Sequence, residues 1–198
     1  MQNDKYIYLI RHGETLSNIY NRLQGWSDTP LTPKGVIQAK ELYDQLKTIQ
    51  FDRYYSSTSD RAYETGEYAT AFQHHIQRDK RLREMNFGIK ECFRADELEF
   101  PEGTNYITCD WVPFGGENID LLTKRIGEFL DHIVSLNGES SCYCCFTHGF
   151  SILAAIRYVD PEAYQRMIEE NHKIGNCTIT TIKWNGTYEL VQIDSKNL

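Results

Sequence analysis

Two histidines, each followed by a glycine, have the setting in this chain that most clearly suggests chemistry. His12 and His148 each follow an apolar run, Tyr6–Ile10 and Cys142–Phe146, after one intervening residue. Unbroken apolar runs of this length are typical of strands that are buried on both faces. In an open parallel sheet the carboxyl ends of the strands share one edge, and ligands bind there. The two imidazoles are therefore predicted to meet at that edge, although they are far apart in the chain.

Two arginines are predicted to join the histidines. Arg11 is the neighbour of His12, and Arg61 falls in the first turn of a helix predicted at about 60–73, after the capping residues 57–60. The free N–H groups and the dipole of a helix N-terminus favour an anion. Taken alone, His12 is also compatible with a core histidine and Arg61 with a solvated helix residue. Together, the arginines, the helix end and the histidines predict a phosphate pocket.

The remaining elements predict how these residues are positioned. Thr32-Pro33 is a typical helix start, and apolar residues recur at helical spacing over 33–49. Further predicted elements are a strand at Arg53–Ser56, extended segments in 76–84, helices starting at 115–117, 149 and 161, and a two-residue hairpin at Asn185-Gly186 that joins strands 177–184 and 187–193. Strands that alternate with helices predict a three-layer α/β/α sandwich with a mostly parallel central sheet and an antiparallel edge strand.

Composition narrows the class of protein. The chain has 198 residues, 40% of them hydrophobic and 25% charged, which fits one domain over residues 1–198. The net charge of −7 disfavours nucleic acid as a partner, and the sequence predicts neither a signal peptide at Met1–Lys5 nor a membrane span. We expect a cytoplasmic protein whose six cysteines are reduced, buried thiols. The sequence leaves the oligomeric state open.

The segment 85–115 has no regular periodicity and contains six aromatic residues. A loop of this length in a compact domain is usually functional, so we predict a lid or substrate-specificity segment, with a short helix near 94–99. Its charged residues are mostly acidic, and Lys90 and Arg94 are its only basic ones.

Five blocks of sequence, in the same order, resemble the histidine phosphatase superfamily, in its phosphoglycerate mutase-like family. The matching residues are Arg11-His12-Gly13-Glu14-Thr15 with Asn18, Asn21-Arg22, Gly25-Trp26, Asp28 and Leu31-Thr32; Ser56-Ser57 with Arg61-Ala62 and Thr65; Leu82-Arg83-Glu84 with Phe87-Gly88; Gly116-Glu117; and Thr147-His148-Gly149. The resemblance covers essentially the whole chain. The chain departs from the family pattern after Phe87-Gly88. The family commonly continues there with an aromatic residue, Glu and Gly, whereas this chain continues with Ile89-Lys90-Glu91-Cys92.

The resemblance implies roles for individual residues. His12 would be the nucleophile that forms a phosphohistidine, and Arg11, Arg61 and His148 would surround the phosphoryl oxygens. Glu84 would be the general acid and then the general base, with Glu14 and Glu117 as alternatives. The remaining predicted substrate-binding residues are Thr15, Asn18, Gln24, Gly25 and Gly149. We expect no cofactor and no metal, because the arginines neutralise the charge that a metal would neutralise.

The sequence is compatible with three functions. The favoured one is hydrolysis of a small phosphorylated metabolite by a metal-independent phosphomonoesterase of the histidine acid phosphatase type. The similar mutases have a longer insertion with extra basic residues between the general acid and the Gly-Glu block, whereas segment 85–115 is short and acidic, which favours the phosphatase branch. The alternatives are phosphoglycerate mutase-type phosphotransfer and a non-catalytic protein that binds a phospho-ligand.

Overall fold

A computed structural model of the chain describes residues 4–136 and 141–196. Six strands form one sheet: β1 (Lys5–Arg11), β2 (Arg53–Ser56), β3 (Ile76–Arg78), β4 (Cys142–Thr147), β5 (Ile179–Trp184) and β6 (Tyr188–Ser195). Their order is β3-β2-β4-β1-β5-β6. The pairs β1–β4, β2–β4 and β2–β3 are parallel, whereas β5 is antiparallel to both of its neighbours. The mostly parallel sheet is confirmed, with its antiparallel strand one position inside the edge.

Helices cover both faces of the sheet. They are α1 (Leu16–Ile19), α2 (Pro33–Leu46), α3 (Asp60–Ala69), α4 (Ile119–Ser135), α5 (Gly149–Val159) and α6 (Pro161–Glu169). Buried residues of α2 and α3 form one core cluster, and buried residues of α4, α5 and α6 form the other. The predicted three-layer α/β/α sandwich is therefore confirmed.

The alternation of side chains along the strands divides the core in two. In β1, Ile7 and Leu9 belong to the cluster under α4 and α5, whereas Ile10 belongs to the cluster under α2 and α3. The same alternation separates Tyr143 from Cys144 in β4. Strands β1 and β4 thus pack against helices on both faces, which leaves the carboxyl ends of the parallel strands as the place for polar side chains.

Several predicted boundaries shift for local reasons. The helix predicted at 60–73 ends at Ala69, because Ala71 and Phe72 have positive φ angles of 49° and 59°. The helix predicted from 115–117 begins at Ile119, after Asn118, whose side chain caps the N–H of Leu121 at 3.0 Å.

The end of α2, the residues between β1 and α2 and the C-terminal hairpin also differ in detail from the prediction. α2 ends at Leu46 rather than at residue 49, and the short helix α1 lies between β1 and α2. Residues 76–84 hold one strand, β3, followed by a single 3₁₀ turn at Lys80–Leu82. The hairpin turn has three residues rather than two, because Trp184 pairs with Tyr188.

The predictions on cysteines and on the N-terminus have mixed outcomes. All six cysteines are free, but Cys92 is exposed and Cys142 half-buried, so the expectation of six buried thiols is wrong for these two. Residues 1–3, which begin the stretch Met1–Lys5 where we predict no signal peptide, lie outside the described residues. Within 4–136 and 141–196, no helix combines the length and the apolar character that a bilayer span requires.

Helix α2 approaches the turn after β1 at a glycine. A Cβ atom on Gly35 would lie 2.1 Å from the carbonyl oxygen of Glu14, and one on Gly13 would lie 2.5 Å from the carbonyl oxygen of Gly35. These contacts involve backbone atoms on both sides, so neither side chain rotation nor a small shift relieves them. The two glycines therefore set how closely α2 packs against the residues that follow His12.

We expect Gly35→Ala to destabilise the fold by at least about 2 kcal/mol, because overpacking outweighs the helix propensity that alanine gains. The free energy of unfolding, measured by urea titration, checks this. Lys40→Ala, at an exposed position of the same helix, should change that free energy by no more than about 0.5 kcal/mol. An alanine at residue 35 that stabilised the protein would show that the contact relaxes.

Candidate active site

The parallel pairing of β1 with β4 brings the two histidines together. Arg11 is paired with Thr147, so His12 and His148 follow at the same level of the sheet. The N–H of His12 donates to the carbonyl oxygen of Thr147 at 3.0 Å, and the two imidazole centroids are 5.3 Å apart. The juxtaposition predicted from the strand ends is thus present.

One ring nitrogen of His12 is held by the backbone. Nδ1 lies 2.7 Å from the carbonyl oxygen of Gly13, and since a carbonyl only accepts, Nδ1 carries the proton. Nε2 is then the nitrogen with a free lone pair. Burial lowers the pKa of His12 well below 6.5, and the charges of Arg61 and Arg11 lower it further. His12 is therefore a neutral imidazole with a fixed tautomer, which is the state of a nitrogen nucleophile.

His148 lies behind His12 and is fully buried. Its Nε2 is 2.8 Å from the hydroxyl oxygen of Ser57, at the end of β2, and its Nδ1 has no hydrogen-bond partner within the described residues. Burial lowers the pKa of His148 well below 6.5, and the charges of Arg61, His12 and Arg11 act in the same direction. This ring is neutral as well.

Arg61, from the first turn of α3, is only 1% exposed. Its Nη atoms donate to the carbonyl oxygens of Ser27 and Gly25, both at 2.9 Å, and to Asp28 Oδ1 at 2.8 Å. Its Nε has no partner within the described residues. A buried, unpaired N–H of a charged group costs free energy, so Nε is a donor in place for an anion.

Arg11 reaches the cavity from the end of β1. Its Nη1 donates to the carbonyl oxygen of Ile174 at 2.5 Å, and its Nε is buried without a partner among the described residues. Two guanidinium groups with unpaired Nε–H donors thus line the same cavity as His12.

Glu84 provides a buried carboxyl group in the same cavity. Its Oε1 accepts the N–H of Met85 at 2.9 Å and the N–H of Phe150 at 3.1 Å. Burial raises the pKa of Glu84, although these N–H groups and the charges of Arg61 and Arg11 pull it down. The carboxyl group therefore holds its proton to higher pH than an exposed glutamate does, as a general acid requires.

The two alternative carboxylates are engaged elsewhere. Glu14 accepts the hydroxyl of Thr32 at 2.9 Å and pairs with Lys34 at 2.8 Å, at the start of α2. Glu117 makes a two-pronged pair with Arg125, at 3.0 and 2.7 Å. Neither residue lines the cavity, so the geometry favours Glu84 over both.

The cavity has a volume of about 250 Å³. Eight of the ten residues predicted for the site line it: Arg11, His12, Asn18, Gln24, Gly25, Arg61, Glu84 and Gly149. Thr15 and His148 do not line it, because both are fully buried behind the wall. Thr15 instead donates its hydroxyl to Gln24 Oε1 at 3.1 Å, and its N–H donates to Asn18 Oδ1 at 3.1 Å. Within the described residues, no three His, Cys, Asp or Glu side chains are grouped as metal ligands.

Sequence reasoning missed the segment between α6 and β5. Asn176 Nδ2 donates to the carbonyl oxygen of His12 at 2.9 Å and to Asn18 Oδ1 at 3.3 Å. His172 and Lys173, from the same segment, line the cavity. No motif or periodicity marks this segment, and only the return of the chain to the sheet edge brings it to His12.

A family model of the histidine phosphatase superfamily (branch 1) matches residues 7–194. The chain belongs to this superfamily. It is 30% identical over 185 residues to a probable phosphoglycerate mutase GpmB of Erwinia tasmaniensis, a match that covers 89% of this chain and 83% of the relative. The resemblance seen in the five sequence blocks is confirmed.

Proteins whose solved structures have similar folds are named after different reactions. A phosphoglycerate mutase of Bacillus anthracis superposes with a TM-score of 0.83 at 28% identity, covering 98% of this chain and 94% of that one. A phosphoserine phosphatase of Entamoeba histolytica, in complex with 3-phosphoglyceric acid, gives 0.82 at 28% identity, covering 97% and 98%. Relatives of this histidine phosphatase superfamily member therefore include both mutases and phosphatases.

The neutral histidines predict a loss of stability at mildly acidic pH. Both have a lowered pKa in the folded state, so below about pH 6.5 the unfolded chain binds more protons and the free energy of unfolding falls as pH falls. Glu84 acts in the opposite sense, because its raised pKa makes the folded state bind more protons. Denaturant titrations of Glu84→Gln between pH 6.5 and 5 isolate the histidine contribution.

Adding His12→Asn to that background should reduce the slope by up to about 1.4 kcal/mol per pH unit. His75→Asn, which removes an exposed ring, is the matched control and should keep the slope of the background. An unchanged slope in the His12 variant would mean that His12 is not held neutral in the folded protein.

Proposed function

We propose that this protein is a metal-independent phosphomonoester hydrolase that acts on a small phosphorylated metabolite through a phosphohistidine at His12. The observation that carries the proposal is the Nδ1–H···O bond from His12 to Gly13, which leaves Nε2 unprotonated beside the unpaired Nε–H donors of Arg11 and Arg61. A neutral nucleophile next to donors that lack a partner fits attack on a bound phosphate group.

In the first half-reaction Nε2 of His12 attacks phosphorus and the bond from phosphorus to the leaving oxygen breaks. The protonated carboxyl of Glu84 gives its proton to that oxygen, so that an alcohol leaves and a carboxylate remains. The Nε–H groups of Arg11 and Arg61 donate to the non-bridging oxygens, and their charge balances the charge of the transferring group. The fully buried His148 supports the ring of His12 from behind.

In the second half-reaction water attacks the phosphohistidine. The Glu84 carboxylate accepts a proton from that water as the new P–O bond forms and the P–N bond breaks. Phosphate leaves, His12 becomes a neutral imidazole again, and Glu84 is protonated for the next cycle. The raised pKa of the Glu84 carboxyl group favours the protonated form that each cycle starts from.

Two observations favour hydrolysis over mutase-type phosphotransfer, the second candidate. The outer wall of the cavity includes the exposed side chains of Arg22 and Lys173, so water has access to the phosphohistidine. Segment 85–115 contributes only uncharged side chains, among them Tyr106 and Ile107, to the wall. We propose that this segment acts as the lid that contacts the leaving group. Phosphate release from 3-phosphoglycerate, measured against its isomerisation, separates the two reactions.

We expect His12→Asn to lower kcat/KM for p-nitrophenyl phosphate by about a thousandfold or more, because the nucleophile is lost. The wild-type protein, quenched during turnover of a ³²P-labelled ester, should carry base-stable and acid-labile label that the variant lacks. His75→Asn should behave as wild type in both assays. Hydrolysis by the His12 variant at the wild-type rate would remove this residue as the nucleophile. A wild-type protein that hydrolysed no ester would instead belong with the non-catalytic phospho-ligand binders.

Glu84→Gln should slow esters with poor leaving groups much more than esters with good ones, because only the poor ones need a proton. A phenyl phosphate series with substituents of different acidity, assayed at one pH, gives the slope of log kcat/KM against leaving-group pKa. The variant should have the steeper slope. Equal loss for every member of the series would contradict the role of Glu84 as acid. Glu14→Gln, which alters a carboxylate outside the cavity, is the control.

A further inference from the structure

Positive charge continues outward from the phosphate pocket beyond what one phosphate group requires. Arg22 and Lys173 line the same cavity as His12 and Arg61, but both are exposed, whereas His12 and Arg61 are buried. Within the described residues, neither Arg22 nor Lys173 has a carboxylate within ion-pair distance, although the chain has a net charge of −7. The outer part of the cavity thus holds two cations without a counter-charge.

Lys173 is positioned by the segment that also holds the reacting histidine. The next residue, Ile174, accepts Nη1 of Arg11 with its carbonyl oxygen at 2.5 Å, and Asn176 donates to the carbonyl oxygen of His12. On the other side, His172 Nε2 lies 3.0 Å from Asp194 Oδ2, a carboxylate oxygen of β6. The backbone on both sides of Lys173 is therefore tied down.

An aromatic ring separates Lys173 from the proposed acid. The Nζ atom of Lys173 lies 5.3 Å from the centroid of the Tyr106 ring, which packs edge-on against Phe150 with centroids 5.9 Å apart. The N–H of Phe150 in turn donates to Glu84. Two ring contacts thus connect the residue whose N–H binds Glu84 to the ammonium group of Lys173.

Arg22 lines the same cavity from a loop that lies far from Lys173 in the sequence. Its Nη1 donates to the carbonyl oxygen of Cys92 at 2.5 Å, which fixes the guanidinium group and leaves its other N–H donors available. Arg94, which forms an isolated β-bridge with Arg22, pairs with Asp96 at 2.6 Å and with Glu97 at 3.1 Å. They do not neutralise Arg22.

We propose that Arg22 and Lys173, with His172 steadied by Asp194, form a second anion subsite. The substrate class is then a small phosphomonoester with a second anionic group, a carboxylate or another phosphate, a few bonds from the reacting phosphorus. This inference rests on the phosphomonoesterase activity proposed above, and the cavity volume of about 250 Å³ restricts it to small molecules rather than phosphoproteins.

The test compares matched pairs of substrates that differ only in the second anion. Phosphoserine against phosphoethanolamine, and 3-phosphoglycerate against glycerol 3-phosphate, test a carboxylate; propane-1,3-diol bisphosphate against its monophosphate tests a phosphate. The wild-type kcat/KM should favour the dianionic member of at least one type of pair by about tenfold or more, as expected for hydrogen bonds to a charged group. The type of pair that shows the preference identifies the anion.

Substitutions assign the preference to residues. Lys173→Gln should reduce the ratio within the preferred pair by at least about threefold, as expected for the loss of a partly exposed ion pair. Arg22→Gln should act in the same direction. Lys124→Gln, at an exposed position of α4, is the matched control and should leave the ratio at the wild-type value.

The outcomes distinguish this inference from the proposed function. Equal kcat/KM within all pairs, with p-nitrophenyl phosphate hydrolysed, would overturn the second subsite and leave the phosphatase intact. A preference that survives both substitutions would overturn the assignment to Arg22 and Lys173. Should no ester be hydrolysed, the proposed function fails, and calorimetric binding of phosphoserine and phosphoethanolamine to the wild-type protein decides the subsite: tighter phosphoserine binding that Lys173→Gln weakens supports it, and equal binding overturns it.

Discussion

Positive charge crowded at a buried sheet edge is the constraint on which the site depends. Two guanidinium groups and two imidazoles lie together at this edge, and both imidazoles and the side chain of Arg61 are buried. Burying groups that can carry like charges side by side is costly. The pKa values of both imidazoles are lowered, so the rings are neutral and add no charge to the cluster. Asp28 compensates the charge of Arg61, while the Nε–H groups of both arginines keep no partner within the described residues. The arrangement is therefore one that an incoming anion stabilises.

The fold makes this crowding possible by joining three strand ends. The pairing of β1 with β4 places His12 beside His148, and the pairing of β2 with β4 brings Ser57 within 2.8 Å of His148. The loop at 25–28 then surrounds Arg61 with acceptors. Because backbone hydrogen bonds set these positions, the side chains need little reorganisation to receive a ligand, which is how a preorganised site lowers a barrier.

Chemistry and specificity have different structural sources. The inner wall, from strand ends and helix starts, holds the buried groups that would carry out phosphoryl transfer. The outer wall comes from the loops at 20–25 and 95–107 and from the segment at 172–174, where Asn21, Arg22 and Lys173 are exposed. Two relatives that superpose with TM-scores of 0.83 and 0.82 are named as a mutase and as a phosphatase. The fold alone therefore does not select the reaction. The outer wall is where such a selection can occur.

The sequence by itself determined the fold class, the family and the inner site. Apolar runs that end in His-Gly, helix caps that precede Arg61 and the ordered blocks around Glu84 are local patterns, and each is readable because its residues are neighbours in the chain. Tertiary structure decided what depends on distant segments meeting. It placed His148 behind His12 rather than in the cavity wall, tied Glu14 and Glu117 to other partners, and brought Lys173 and Asn176 to the site. No spacing rule encodes these contacts, because they arise from sheet order and from the path of the chain after α6.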